Sequence, residues 1–177
     1  MTTAQSPLIR AVRADDLAAL LPLNNALAPH VGLIDSRRLA DLVIWADLAL
    51  VVEADGALAG GMIAIGPGTA YDSPNYRWFC DRYADFVYVD RIFVEPEMHG
   101  QGIGRRLYRQ AMDRAAQRRA PVTCEVNERP PNPESMAFHR RLGFREVGRQ
   151  DYDGGAKRVV MLEHPGAVPD GTATARG

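Results

Sequence analysis

The sequence has few of the features that mark secreted, membrane-spanning or metal-binding proteins. It contains two cysteines in 177 residues, Cys80 and Cys124, and neither its cysteines nor its histidines show metal-ligand spacing. No apolar run reaches the roughly 20 residues that cross a bilayer, and segment 1–7 lacks the apolar core of a signal peptide. The formal net charge of −1 argues against a general nucleic-acid-binding protein. We therefore expect a cytoplasmic protein without a metal, membrane or nucleic-acid partner.

What remains is the composition of one globular domain, with 46% hydrophobic and 24% charged residues. Segment 71–83, rich in proline, asparagine and aromatic residues, is predicted to be irregular. The element order predicts an α+β domain with a mixed sheet over 1–164 and a flexible tail over 165–177. Apolar periodicity predicts strands over 8–12, 48–53, 58–65, 86–94, 121–127, 144–150 and 158–163, and helices over 15–27, 36–45, 133–142 and from 103 onward.

A glycine-rich loop separates the predicted strand over 86–94 from a predicted helix. In this loop, Gly100, Gly102 and Gly104 carry no side chains that would cover the backbone N–H groups. Open N–H groups at a helix N-terminus form an anion site, because the helix dipole adds to their positive charge. The loop therefore predicts a phosphorylated ligand. The helix itself is indicated by apolar residues that recur every four positions, at Ile103, Leu107, Ala111 and Ala115.

The spacing within this loop excludes two common phosphate-binding motifs. A Walker loop requires Gly-Lys-Ser/Thr, and no such ending follows Gly104. A dinucleotide-binding loop requires Gly-x-Gly-x-x-Gly/Ala, whereas the sixth position from Gly100 is Arg105 and the loop lies beyond the middle of the chain. Arg105 itself indicates an anion, because a cation in the first helical turn is unfavourable unless an anion lies nearby.

A second motif follows downstream. After the strand over 121–127, Asn132 and Pro133 suit the N-cap and the first residue of a helix. Gly143 suits the end of that helix, and Phe144 follows it. The sequence therefore contains a strand–Asn–helix–Gly-Phe module after the glycine-rich loop.

The two motifs together resemble the GCN5-related N-acetyltransferases, the GNAT family. The acetyl-CoA pyrophosphate loop of that family has the pattern Arg/Gln-x-x-Gly-x-Gly/Ala, which here runs from His99 to Gly104. His99 replaces the usual Arg or Gln. The resemblance covers roughly residues 8–163 and is diagnostic over 86–144. Segment 71–79 also looks like that of an uncharacterised bacterial subgroup, so the resemblance implies no particular acceptor.

The resemblance implies a fold and a set of cofactor contacts. The fold would be a single GNAT-like domain with a central mixed, mostly antiparallel sheet flanked by helices, and acetyl-CoA would be the co-substrate. Backbone groups of Ile92, Phe93 and Val94 on the central strand would bind pantetheine as an added strand does. Asn132 and Phe138 would lie beside the cofactor. The pyrophosphate would bind at His99, Gly100, Gln101, Gly102, Ile103, Gly104 and Arg105.

Amide formation by direct attack in a ternary complex requires a base for the acceptor amine. Candidate bases are Asp90, Glu125, Glu53 or water. Asp90 leads because it is polar within an apolar strand, and strict alternation would place it on the same face as Ile92 and Val94.

An acid is also needed, because the CoA thiolate leaves with a negative charge. We predict His139 in this role, since an imidazole with a pKa of ~6.5 gives and takes protons near neutrality. It lies four residues before Gly143, where the family commonly places a tyrosine. Tyr88 and Tyr83 are alternative acids.

Acceptor contacts are expected outside these motifs. Tyr71, Tyr76 and Trp78 cluster in an aromatic segment that either lines a pocket or packs on the core, and Asn25 ends the first helix. The predicted acceptor is an amine of a small molecule or peptide, with its identity and the acyl-chain length left open. A homodimer is one arrangement of the chain. The alternative functions are a non-catalytic acetyl-CoA-binding regulator and an interaction subunit.

Overall fold

The computed structural model describes residues 6–28 and 31–166, and these form an α+β domain. They form the strands β1 (Leu8–Ala11), β2 (Ala46–Ala54), β3 (Ala57–Ile65), β4 (Val87–Val94), β5 (Val122–Arg129), β6 (Arg145–Tyr152) and β7 (Lys157–His164). They also form the helices α1 (Leu17–Ala26), α2 (Ser36–Trp45), α3 (Pro74–Cys80), α4 (Ile103–Arg118) and α5 (Pro133–Arg141). The strand order is β1-β2-β3-β4-β5-β7-β6, with β4 and β5 parallel and the other neighbours antiparallel. The predicted mixed, mostly antiparallel sheet is confirmed.

Two apolar clusters cover the two faces of this sheet. On one face, Phe138 of α5 packs with the apolar stripe of α4, namely Ile103, Leu107, Ala111 and Ala115. On the other face, α1 contributes Leu20, α2 contributes Leu39 and α3 contributes Phe79. We call these the α4 face and the α1 face. Strand β4 lies in the middle of the sheet, so its side chains reach both.

A β-bulge interrupts β4 at Asp90. Against β3, Val89 pairs with Ala64 and Arg91 pairs with Ile63, so Asp90 has no residue opposite it. An extra residue of this kind reverses the alternation of side chains beyond it. The bulge therefore decides which β4 side chains face which helices.

The bulge contradicts the predicted orientation of Asp90. Val89 before it, and Ile92 and Val94 after it, all belong to the α4 face. Asp90 instead accepts a hydrogen bond from Tyr71, which belongs to the α1 face. The prediction that Asp90 shares a face with Ile92 and Val94 is wrong, because strict alternation ends at the bulge.

Strands β4 and β5 diverge soon after they begin. Their paired positions are Val87 with Val122 and Tyr88 with Thr123. Strand β4 continues to Val94 and stays paired with β3 on its other side. Beyond Tyr88, the β4 edge that faces β5 has no strand partner among the described residues, and a cleft opens through the sheet.

The segment over 71–83, predicted to be irregular, contains α3. The Ser73 side chain accepts a hydrogen bond from the backbone N–H of Tyr76, and Pro74 occupies the first helical position. A capping serine followed by proline is a helix start, and it outweighs the turn-forming composition around it.

The predicted tail over 165–177 lies outside the described residues from 167 onward. None of the helices in the described ranges is long and apolar enough to cross a membrane.

Candidate active site

A cavity of 570 Å³ occupies the cleft between β4 and β5. Ile92, Tyr108 and Cys124 line it from the α4 face. Tyr71 and Phe93 line it from the α1 face. Because the cavity reaches both faces of the sheet, two molecules that enter from opposite sides would meet within the cleft.

The glycine-rich loop presents an open row of backbone donors. Gly100 and Gly102 have φ angles of +79° and +74°, and a Cβ atom on either would meet no atom within 4 Å. Among the described residues, the N–H groups of residues 100–105 have no backbone acceptor, and the first bonded N–H of α4 is that of Arg106, which donates to the Gly102 carbonyl at 3.1 Å. Unpaired donors at a helix N-terminus fit a pyrophosphate.

Gly104 has a different role from the other two glycines. A Cβ atom there would lie 3.1 Å from the Phe138 ring, so Gly104 lets α5 approach α4 closely. Phe138, predicted to contact the cofactor, packs against Gly104 and against the Tyr108 ring at 5.9 Å and is not among the cavity-lining residues. These two positions fix the packing of the helices that flank the cavity.

The remaining predicted loop residues are divided between the core, the cavity and the surface. Ile103 is buried in the α4-face cluster, and Gln101 donates to the Met98 sulfur at 3.6 Å. His99 lines the cavity, and its Nε2 lies 2.9 Å from the Val94 carbonyl oxygen.

The N-terminal end of α5 follows the sequence prediction. Oδ1 of Asn132 accepts a hydrogen bond from the Ser135 N–H at 3.2 Å, and Pro133 begins the helix. The predicted N-cap is confirmed. Asn132 also lines the cavity, so the cap lies where the cofactor is expected.

Asp90 lies in a buried network on the α1-face side of the cavity. Its Oδ1 accepts a hydrogen bond from the Tyr71 hydroxyl, and its Oδ2 accepts one from Nε of Arg91 at 2.7 Å. Nη1 of Arg91 donates to Oδ1 of Asn24 at 2.9 Å. Both carboxylate oxygens of Asp90 are therefore engaged by neighbouring side chains.

Glu125 of β5 differs from Asp90 in its surroundings. Its Oε1 accepts one hydrogen bond, from Asn75 at 3.0 Å, while Oε2 is sealed from solvent and has no partner among the described residues. Burial, with a further contribution from the charge of Asp90, raises the pKa of Glu125 from 4.5 to about 7. A carboxylate that lines a cavity with such a pKa can act as a general base at neutral pH.

The other predicted acid–base candidates do not line the cavity. Glu53 pairs with Arg10 at 2.9 Å at the far edge of the sheet, and the Tyr83 hydroxyl donates to Glu163. Tyr88 is fully buried, lies outside the cavity lining, and its hydroxyl has no hydrogen-bond partner among the described residues.

His139 lines the cavity, but both ring nitrogens are already engaged. Nδ1 lies 2.7 Å from the Ser135 carbonyl oxygen, which only accepts, so Nδ1 carries the proton. Nε2 then accepts a hydrogen bond from the Tyr108 hydroxyl at 2.6 Å. Burial lowers the pKa of His139 and favours this neutral form. Sequence reasoning missed Tyr108, whose signal was a hydroxyl on the apolar face of α4.

A model of the acetyltransferase (GNAT) family matches residues 19–144 of the sequence. The chain belongs to the GNAT family. Peptidyl-lysine N-acetyltransferase YjaB of Salmonella typhimurium is 32% identical over 75 residues, 42% of this chain and 48% of the relative. N-alpha-acetyltransferase RimI of Mycobacterium tuberculosis is 43% identical over 60 residues, 34% of this chain and 35% of the relative. The chain thus spans about half, or less, of the length of these curated relatives.

Solved structures support the GNAT fold over nearly the whole chain. Naa20 of Chaetomium thermophilum in complex with a bisubstrate analogue has a TM-score of 0.72 and 23% identity, covering 89% of this chain and 86% of that one. The ribosomal-protein-S18-alanine N-acetyltransferase of Escherichia coli has a TM-score of 0.68 and 17% identity, covering 94% and 98%. At these identities, the likeness concerns the fold.

One of the four predicted acceptor residues of this GNAT domain lines the cavity, namely Tyr71. Tyr76 is buried in the core and donates to the Gly66 carbonyl at 2.8 Å. Trp78 packs over Gly148 of β6, where an added Cβ atom would lie 2.5 Å from its ring. The acceptor prediction is not supported for these two residues, because their aromatic rings fill the core and cover β6.

Asn25, the fourth predicted acceptor residue, braces the α1–α2 loop. Its side chain donates to the Ile34 carbonyl at 2.9 Å and accepts from the Ile34 N–H at 3.1 Å. Among the described residues, Asn25 does not belong to the cavity lining. Leu27 and Val31 of the same loop, and Tyr152 at the end of β6, line the cavity instead.

Proposed function

We propose that this GNAT domain transfers the acetyl group of acetyl-CoA to an amine of a small molecule or peptide, by direct attack in a ternary complex. One observation carries the proposal: a single cavity joins the two faces of the sheet through the β4–β5 cleft. The anion-binding loop begins α4 on one face, and Glu125 lies beside the α3 residue Asn75. Both reactants would therefore reach one cleft without displacement of a strand.

The cofactor contacts follow from unpaired backbone groups. Acetyl-CoA supplies an activated acyl thioester when it is bound. The N–H groups of residues 100–105 would hold its pyrophosphate. The unpaired edge of β4 at 92–94 would hold pantetheine and offer an N–H group to the oxyanion that forms on the acyl carbon. Asn132, which lines the cavity, would lie beside it.

Glu125, and not Asp90, is the proposed base. Each oxygen of Asp90 accepts a hydrogen bond, one of them from the Arg91 guanidinium, whereas Glu125 accepts a single hydrogen bond, from the neutral Asn75 amide, and its raised pKa suits proton transfer near pH 7. The charge of Asp90 contributes to the raised pKa of Glu125, so its proposed role is electrostatic. Activity should rise with pH through about 7, because Glu125 acts in its ionised form.

Thiol release from acetyl-CoA, measured with a panel of amines and checked by the mass of the product, tests this proposal. We expect Glu125→Gln to lower turnover by about 10²–10⁴-fold and to remove the rise near neutral pH. Glu128→Gln is the matched control, because Glu128 lies on the same strand but pairs with Arg149 at 3.1 Å. This variant should retain the wild-type turnover and the rise in activity near neutral pH. Thermal stabilisation by acetyl-CoA without thiol release from any amine would contradict the transferase proposal and indicate a binding protein.

We further propose that the protein works in the cytoplasm and that a homodimer is one oligomeric state open to it. The cytoplasmic location is supported by the unpaired state of Cys80 and Cys124, as expected in a reducing compartment. Subcellular fractionation tests the first point. Light scattering during size-exclusion chromatography tests the second.

A further inference from the structure

Arg91 is a buried cation with one unused nitrogen. Its side chain is 7% exposed, and Nε and Nη1 are occupied by Asp90 and Asn24. Nη2 has no hydrogen-bond acceptor among the described residues. It is not sealed from solvent, unlike the three unpartnered side-chain oxygens on Tyr88, Thr123 and Glu125. Because Arg91 lines the cavity, Nη2 is a donor available to a molecule within it.

An unused guanidinium donor in a buried site favours a ligand that brings an oxygen. When a bound molecule displaces water from the cavity, an arginine nitrogen left without a partner costs free energy, so a molecule that supplies an acceptor is favoured. Asp90 is not that acceptor, since its oxygens accept from Tyr71 and from Nε of Arg91. Glu125 of β5 and Arg91 of β4 line the same cavity. The unused donor and the proposed base therefore belong to one subsite.

We propose that the acceptor is an α-amino-acyl compound, whose amine reaches Glu125 while its carbonyl or carboxylate oxygen accepts a hydrogen bond from Nη2 of Arg91. This assignment rests on the proposed acetyl transfer. The same chemistry is present in a free amino acid and in the first residue of a polypeptide. A lysine side chain and a simple alkylamine lack an oxygen close to the nitrogen, so they leave Nη2 unpaired.

The proton balance favours the same class of acceptor. The α-amino group at the start of a polypeptide has a pKa of about 8, and a lysine side chain has one of about 10.4. The pKa of Glu125 is about 7. Proton transfer to Glu125 is therefore unfavourable by roughly one pKa unit from the α-ammonium group and by more than three from the lysine ammonium group. This first proton passes to Oε1 of Glu125 before the attack; when the N–C bond then forms and the C–S bond breaks, the electron pair leaves on sulfur, and the second proton lost from nitrogen neutralises that thiolate.

A matched set of acceptors tests the assignment on the unaltered protein. Leucine, leucinamide and 3-methylbutylamine share one side chain, and only the last lacks the oxygen; Nα-acetyl-lysine amide supplies the side-chain amine. With rates corrected for the neutral fraction of each amine, we expect kcat/KM for leucine or leucinamide to exceed that for 3-methylbutylamine at least tenfold. A preference for leucine indicates a free amino acid, and one for leucinamide or a leucine-initiated peptide indicates a polypeptide N-terminus.

Equal or faster reaction of 3-methylbutylamine or Nα-acetyl-lysine amide overturns the assignment. Thiol release from none of the amines overturns the acetyl transfer itself, and the assignment with it. Arg91→Lys keeps the charge but removes Nη2, so the preference for leucinamide over 3-methylbutylamine should disappear. Arg145→Lys, whose side chain is exposed and pairs with Glu163, is the control that keeps this preference. Unchanged preference in Arg91→Lys contradicts the proposal, with acetyl-CoA stabilisation confirming that the variant is folded.

Discussion

Two neighbouring carboxylates of the cleft have different surroundings and therefore different proposed roles. Asp90 is bound on both oxygens and contributes its charge, whereas Glu125 is buried with one oxygen unpartnered. Placing two carboxylates in unequal environments is a general way to separate an electrostatic role from a proton-transfer role at one pH.

The raised pKa of Glu125 predicts a cost in stability. A carboxyl whose pKa rises from 4.5 to about 7 on folding keeps its proton in the folded state while the unfolded chain loses it. Stability is therefore lost as pH rises from about 4.5 to 7, by about 3 kcal/mol in total. We expect Glu125→Gln to raise the free energy of unfolding by a similar amount at pH 8 and by much less at pH 5. Urea unfolding at both pH values measures this, and a gain of equal size at both would contradict it.

Tyr108 and His139 should act as one unit. Nε2 of His139 carries no proton and accepts the hydrogen bond of the Tyr108 hydroxyl, so His139 can exchange a proton with the cleft only through that hydroxyl. We expect Tyr108→Phe and His139→Ala each to lower turnover by roughly ten- to a hundredfold, and the double variant to lose no more than the worse single one. Steady-state kinetics of the three variants test this. Multiplicative losses would show that the two residues act separately.

At the scale of the elements, the glycine-rich loop combines two different functions. Gly102 has a left-handed φ and open space above it, whereas Gly104 lies against Phe138 on the neighbouring helix. The same residue type thus leaves open space for the proposed ligand at one position and permits helix packing at the other.

We expect Gly102→Ala to weaken acetyl-CoA binding at least tenfold, because the methyl group stands over the donors and the backbone is strained. Gly104→Val should instead lower the free energy of unfolding by about 1–3 kcal/mol without any ligand, because it overpacks the contact with Phe138. Calorimetric titration measures the first and urea unfolding the second. Adding Phe138→Leu should restore part of the stability of Gly104→Val; no recovery would contradict the packing explanation.

At the scale of the whole molecule, ligand binding should stabilise the GNAT domain. Acetyl-CoA at a hundred times its Kd adds about 2.7 kcal/mol to the free energy of unfolding. For a domain of this size that corresponds to a rise in Tm of about 5–10 °C. Differential scanning calorimetry measures the shift. S-Acetylpantetheine, which lacks the phosphates, should give a smaller shift at equal concentration, and an equal shift would argue against the loop as the pyrophosphate site.

The sequence by itself determined the features that depend on neighbours along the chain. The glycine loop, the Asn132 cap and the order of strands and helices each arise within a few residues, where backbone preferences and periodicity act. The α3 start at Ser73-Pro74 is equally local, and its capping serine and proline outweigh the turn-forming composition around them.

Tertiary structure alone decided the chemistry of the cleft. The bulge that turned Asp90 toward Tyr71 depends on register with β3, which a single strand sequence does not specify. Asn75 lies 50 residues from the Glu125 it contacts, and Tyr108 lies 31 residues from His139. The pKa of a side chain depends on burial and on charges brought close by folding, so Glu125 could not be ranked above Asp90 before its neighbours were known.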